Sequence, residues 1–478
     1  MKKKTAWLSK LVVLSLSCVC GARLAFGAVP MNLEKLLEIA RKEAETVRAA
    51  DLTLESIRAE IAGRDIALSP KFEAELAGGH DNRDATVSTS QRVPMRLLDV
   101  SLTKLFSTGT SLSFSVGHMD TRINSADRSI SSWEVRLSQS LWRDAFGRST
   151  RLRHEAEQAE LRSRTFSTLQ QRQSFLLELE RLYWDYVLAL KEEQTRLSNL
   201  EKSKRVESWT RDRVRRRVAL ESDLLQVQAL VSSRELELKE VRNRLETLRN
   251  NIRQLLPGQN PEEWAVDLKE LDRARNLESL LAVSEGKEKP VQLAALAATY
   301  LSKQAKSEAA RVEDSYRPKL DAYVSYGQNG ADENYSGSWN RALDPQFSAT
   351  RVGVIFSVDL DAGLKSEQRR AAELRAQARE LESRAQMRAS SFGWDDLIRQ
   401  VDSLKMQVAE ATRLAAIQEK KVEAERSNYR LGRTTVFQLI NFEIDAANAE
   451  LGLVRKLAEL RKAEGFARVF TRQQAGDR

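Results

Sequence analysis

Two ten-residue stretches, PKFEAELAGG at 70–79 and PKLDAYVSYG at 318–327, align without gaps 248 positions apart. The tetrapeptide beginning at Trp184, WDYV, has a counterpart in WDDL beginning at Trp394. A third stretch, VRRRVALESDLLQVQALVSSREL at 214–236, returns in the same register 215 positions later as YRLGRTTVFQLINFEIDAANAEL at 429–451. Three landmarks in one order make the chain a doubled unit of helix, strand pair, long helix, corner and helix. Any fold it adopts must place each of these elements twice.

The long segments read as helices. No proline falls between 95 and 256 or after 345. Glycine is sparse in 149–256 and 365–478, where apolar residues recur at spacings of three and four among Ala, Leu, Glu, Arg and Gln. A helix over 149–214 would be on the order of 100 Å long. A helix of that length needs partner helices, because alone it has no core for its apolar stripe.

Between the helical blocks lie two zones with a period of two. Phe72, Ala74 and Leu76 alternate with Lys71, Glu73 and Glu75, and Trp133, Val135 and Leu137 with Glu134, Arg136 and Ser138. In the second zone Leu320, Ala322, Val324 and Tyr326 alternate with Asp321, Tyr323 and Ser325. Val352, Val354, Phe356 and Val358 alternate with Arg351, Gly353, Ser357 and Asp359, although Ile355 interrupts that polar face. Such segments predict strands with one apolar face, about 9–11 residues long, the length of a tilted transmembrane strand. The stretch 100–118 predicts an extra hairpin around Thr108-Gly109 that has only a loop, 328–350, as its counterpart. Three places are open to it: widening the barrel, decorating its outer end or staying soluble; we expect it to decorate the outer end. Four strands cannot close a barrel, and open edges in lipid leave backbone groups unpaired, so other copies must complete both strands and helices.

The first 27 residues carry Lys2, Lys3, Lys4, Lys10 and Arg23 and no acid, then a short apolar run and small residues at Ala25 and Gly27. This pattern predicts a cleaved secretory signal peptide; a membrane anchor and lipid attachment at Cys18 are the other readings. Those five cations supply most of the +9 net charge, and the remainder carries +4, spread too thinly for a nucleic-acid footprint. Both cysteines, Cys18 and Cys20, lie in the leader, so the mature chain would hold no disulfide. With 30% charged and 6% aromatic residues, the composition suits long helices with wet faces. His80, His118 and His154 are scattered, and the sequence has no HExxH, CxxC, GxSxG or phosphate loop. No catalytic constellation and no metal or cofactor site is expected.

The element order, the leader and the motif Tyr429-x-x-Gly432-x-x-Thr435, followed by Ala446, Ala447 and Ala449, resemble the TolC-like outer-membrane efflux family. The resemblance spans essentially the whole mature chain. It implies a mainly α fold with a β-barrel contribution, in a homotrimer set in outer-membrane lipid. Each copy would give four strands to a 12-stranded barrel, continued by a helical tunnel through the periplasm. It also implies a periplasmic adaptor and an inner-membrane pump as partners, of a tripartite efflux or type I secretion system. The corresponding organisation is a leader at 1–27, a helical segment at 31–69 and a strand zone at 70–145. Long helices follow at 146–256, an equatorial linker at 257–289, a helix at 290–317, a second strand zone at 318–362 and long helices at 363–472. The rival architecture is a soluble periplasmic coiled-coil protein, but an adaptor of that kind needs a single hairpin around one compact β domain.

At the corner, Gly432 tolerates a left-handed turn and Thr434 or Thr435 can cap the returning helix. By the resemblance, Arg217, Tyr429, Leu431, Gly432 and Thr435 would meet the adaptor, and the closed pore would be ringed by Asp223, Gln226, Gln438 and Asn441. Only Asp223 of these four is acidic. Asp223 reads equally well as a first-turn acid favoured by the helix dipole. Gln438 and Asn441, taken alone, read more readily as solvated helix positions. Arg217 stands where the other half has Gly432, within the basic triplet Arg215-Arg216-Arg217, which reads as an adaptor-facing patch or, more readily, as a solvated face. Trp133, Trp142, Tyr323, Tyr326 and Trp339 are candidates for an interfacial aromatic girdle.

Overall fold

The computed structural model describes residues 29–81, 93–123, 126–281 and 289–472. Residues 1–28, with the expected leader and Cys18 and Cys20, lie outside them. Two short helices come first, α1 (Leu33–Glu43) and α2 (Glu45–Gly63). Four strands follow: β1 (Lys71–Asp81), β2 (Val93–Leu105), β3 (Thr110–Ile123) and β4 (Ala126–Ser140). The first long helix, α3 (Arg148–Arg215), turns back into α4 (Glu221–Leu255). The second half repeats the plan with α5 (Leu293–Ser315), β5 (Lys319–Asp332), the short α6 (Tyr335–Ala342) and β6 (Ser348–Ser357). It ends with α7 (Ala362–Arg430) and α8 (Val436–Gly465). At 68 and 69 residues, α3 and α7 are each on the order of 100 Å long.

The helices form one layer rather than a bundle with a centre. Near the sheet the order of neighbours is α2, α3, α5, α7; towards the corners it is α4, α3, α8, α7. Four helices stand side by side at either level. One margin is α2 continued by α4, and the other is α7 along its whole length. Apolar side chains lie bare on both margins: Leu52 on α2, Leu225 and Leu236 on α4, and Leu381, Phe392, Met406 and Ile417 on α7. The WDYV and WDDL repeats mark the waist. Trp184 is buried with Tyr183, Tyr186 and Trp264, and Trp394 with Leu397 and Phe470. Glu180, buried beside Trp184, is neutralised by Arg275 and Arg468.

These six strands join one antiparallel sheet in the order β1-β2-β3-β4-β5-β6, apart from two short strand pairs among the described residues. This corrects the four strands expected from the repeat. The segment around Thr108-Gly109 is a hairpin, as expected, but not an ornament at the outer end. Its strands have 13 and 14 residues, as long as their neighbours, and they pair fully with β1 and β4. Counting only strands with a partner in the other half omits it, because the second half has no equivalent. The expected loop at 328–350 is also more ordered than predicted. It holds the end of β5, then α6, then the start of β6. The N-terminus of α6 is capped by Asn334, whose side chain accepts from Gly337 N at 2.7 Å.

One face of the sheet carries an apolar belt on every strand. Its members include Phe72 and Leu76, Leu98 and Leu102, Phe114 and Val116, Val135 and Leu137, Val324 and Tyr326, and Val354 and Phe356. Nearly all of them are exposed. The other face carries Lys71, Glu73, Ser101, Ser113, Arg136, Ser325 and Arg351. That division suits a strand between hydrocarbon and water. The belt crosses the hydrogen-bonded rows obliquely. Ala74, Val100, Val116, Trp133, Gln328 and Ser348 share one row, yet the middle of the belt on β6 is Val354, six residues beyond Ser348. Of the girdle candidates, Trp133 and Tyr326 meet edge to face at 5.7 Å on the belt face, with Trp339 in α6 beyond them. Tyr323 lies on the polar face under Arg136, and Trp142 follows β4 at the helical end.

Candidate functional site at the helix corners

Each long helix ends in the same backbone motif. At the first corner, Arg217 N donates to Val214 O and Val218 N to Arg213 O, both at 2.9 Å. At the second, Gly432 N donates to Tyr429 O at 3.0 Å and Arg433 N to Asn428 O at 2.9 Å. This double closure requires a left-handed residue just past the helix. Gly432 has φ +73° and Arg217 φ +56°. The position where the sequence lacks glycine is therefore built to the same shape with added strain, since a Cβ disfavours that region.

The returning helices are capped differently. Thr435 Oγ1 accepts from Gln438 N at 3.3 Å, which settles the choice between Thr434 and Thr435. Leu220 has no side-chain acceptor, and Asp223 instead accepts from Leu220 N through Oδ2 at 3.2 Å. Asp223 thus acts as a first-turn acid of α4, in the favourable field of the helix N-terminus. It is half-buried, whereas Gln226, Gln438 and Asn441 are exposed. Arg217, Leu431, Gly432 and Thr435 are exposed as well, and so are Arg215 and Arg216.

Tyr429 differs from the other expected contact residues. It is buried at 2% exposure with Val206, Val227, Val436 and Leu439, so it joins the two corners from inside. Thr210 Oγ1 donates to Val206 O at 2.9 Å, which leaves it to accept the Tyr429 hydroxyl proton at 2.7 Å. Arg213 lies over the Tyr429 ring at 5.0 Å and donates to Tyr429 O at 3.0 Å. Arg430 reaches back over Trp209 at 5.7 Å. A shallow groove between the corners is lined by Trp209, Asp212, Arg213, Arg216, Leu431 and Gly432.

Several residues of this junction do not stand out in the sequence. Arg426 makes a bidentate pair with Glu443 at 2.6 and 2.7 Å, tying α7 to α8. Thr434 donates to the buried Glu425. The signal that marks them is a mismatch between the halves. Glu425 corresponds to Thr210, and Glu443 to Gln228, at the repeat spacing of 215. Among the described residues no group of three or more His, Cys, Asp or Glu side chains is placed to hold a metal ion, and no helix is long and apolar enough to cross a membrane.

One layer of long helices with paired corners, continued by an antiparallel sheet, gives this chain the overall fold of the TolC-like outer-membrane channels. VceC from Vibrio cholerae has it with a TM-score of 0.65 at 13% identity, over 91% of this chain and 95% of that one. The outer-membrane channel OprN matches with a TM-score of 0.65 at 20% identity, over 91% and 89% of the two chains. MtrE of Neisseria gonorrhoeae, in its open state, matches at 0.60 and 16%, over 91% and 88%. No protein-family model matches the sequence, and no curated protein matches it.

Proposed function

We propose that the chain is one of three identical protomers of an outer-membrane channel-tunnel. It would be the exit duct of a tripartite efflux or type I secretion system. The observation that carries this reading is a pair of margins that no other described element covers. β1, α2 and α4 form one, β6 and α7 the other, and each bears exposed apolar side chains from the sheet to the corners. A soluble coiled-coil protein has no use for a sheet whose apolar belt faces outward on all six strands. Joining the margins of successive copies closes sheet and helices together, and a head-to-tail interface of this kind makes a ring.

The corners would be the periplasmic tip. Arg217, Leu431, Gly432 and Thr435 flank the groove that an adaptor's helical hairpin would enter, and Tyr429 braces it from below. Asp223, Gln226, Gln438 and Asn441 would line the aperture, with Asp223 both capping α4 and facing the pore. The class of cargo would follow from the pump that shares the system. Fractionation tests the main reading. Heat-labile trimers in the outer membrane that conduct in planar bilayers are expected, and monomers released by osmotic shock would overturn it.

A further inference from the structure

We infer that the closed barrel contains 18 strands, six from each of three copies, rather than the 12 that the resemblance implies. The inference rests on the trimer proposed above, and its new content is the place of the β2–β3 hairpin in the wall. The partner at each sheet edge is a second copy of this chain, with β6 of one copy pairing with β1 of the next.

The hairpin is fastened at both ends. At the helical end, Gln139 Nε2 donates to Thr108 O at 3.1 Å and Ser140 N to Gly109 O at 3.2 Å. The turn lies so close to the start of α3 that a Cβ on Gly147 would stand 1.8 Å from Ser107 O. A Cβ on Gly109 would stand 2.7 Å from Gly147 N. Both glycines have positive φ, so the contact depends on them twice. At the far end, His118 of β3 bonds Ser131 of β4 at 2.9 Å, Ser131 bonds Ser338 of α6 at 2.7 Å, and Tyr335 meets the imidazole ring at 4.6 Å. A hairpin held this way does not leave the sheet to let β1 pair with β4.

The width of the wall agrees. Four helices side by side, spaced about 8–10 Å, span about 32–40 Å per copy. The belt drifts six residues over five strand steps. At about 3.4 Å per residue and 4.8 Å per strand this is a tilt of about 40°, within the range of closed barrels. Six strands at such a tilt span about 34–42 Å, and four would span only about 23–28 Å. Six strands therefore meet the helical layer without a step in circumference. The edges also match in content. Phe72, Ala74 and Leu76 on β1 face outward as Val352, Val354 and Phe356 do on β6, which places Ala74 opposite the neighbour's Val354.

Cysteine pairs in the full chain, expressed in outer membranes, test this directly, because its two native cysteines, Cys18 and Cys20, lie in the leader. Ala74→Cys with Val100→Cys should form a disulfide within one chain, and Ala74→Cys with Trp133→Cys should not. Ala74→Cys combined in turn with Val352→Cys, Val354→Cys and Phe356→Cys should yield a covalent trimer under non-reducing conditions, most completely with Val354→Cys. A trimer through the seam together with an Ala74–Trp133 disulfide would overturn the 18-strand barrel and leave the trimer standing. No covalent trimer from any seam pair, with the native complex not trimeric by mass, would overturn the underlying assembly as well.

Discussion

At the end of α3 the chain turns through a left-handed Arg217, and at the end of α7 through a left-handed Gly432, with the same two backbone hydrogen bonds closing each turn. The side chains that secure the turns are not the same. The second corner is braced within itself, by Arg426 against Glu443 and Thr434 against Glu425. In the first corner the counterpart of Arg426 is Arg211, which pairs with Glu207 one turn back along its own helix. The first corner instead uses Thr210 and Arg213 to clasp Tyr429 of the second. A duplicated backbone has thus become a frame and a clasp, and the two should respond differently to the same kind of injury.

The largest difference is expected from Glu443→Ala. The Glu443 and Arg426 side chains are only 9% and 17% exposed. Removing Glu443 takes two charged hydrogen bonds from Arg426 and leaves it Glu419 at 3.6 Å, at about 2–3 kcal/mol. The matching change in the first corner, Gln228→Ala, should cost no more than about 0.5 kcal/mol. Native-state amide exchange at the two corners reads both, with fast exchange confined to the ends of α7 and α8 in Glu443→Ala. Equal loosening of both corners would mean that the frame is shared. Tyr429→Phe is the complementary case. It removes the proton that Thr210 accepts, at about 1–2 kcal/mol, and should speed exchange at the ends of both α3 and α7.

Next come the turns themselves, where the sign should invert. Arg217→Gly relieves a side chain in the left-handed region and should stabilise the first corner by about 1 kcal/mol. Gly432→Ala should destabilise the second by about the same amount through backbone strain, since the nearest atom to the new Cβ would be Arg213 Nη2, 4.0 Å away. If Arg217→Gly instead lowers stability, the Arg217 side chain makes a contact that outweighs its backbone.

The repeat makes most of this architecture legible in the sequence. Proline-free blocks and a period of two locate the long helices and the four strands that have twins, because those signals are local. The hairpin strands β2 and β3 carry the same alternation, as in Leu98, Val100 and Leu102 against Asp99, Ser101 and Thr103, but no twin. Whether such a pair joins a wall or decorates its rim depends on pairing across the sheet, which alternation does not specify. The corner shows the same limit. Gly432, Thr435 and the acid at Asp223 have local signatures and can be read directly. Arg213, Glu425 and Glu443 act across helices, and Tyr429 reads as an outer contact because nothing in its neighbours shows that it faces inward.

The smallest expected effect concerns the caps, and it separates the two roles of Asp223. As a first-turn acid its charge is worth a few tenths of a kcal/mol to α4, since asparagine keeps an oxygen that can still accept from Leu220 N. Asp223→Asn should therefore leave the corner almost as stable as before. If Asp223 also faces the aperture of a trimer, the same change removes the one acidic ring among the four candidate positions. Trivalent-cation block in single-channel recordings should then disappear, because ring charge sets ion preference. Gln438→Glu is the mirror experiment. It adds a second ring and completes a Thr-x-x-Glu cap with Thr435, so block should tighten while α8 gains a few tenths of a kcal/mol. Block that survives Asp223→Asn would place the mouth's charge elsewhere and leave Asp223 as a cap alone.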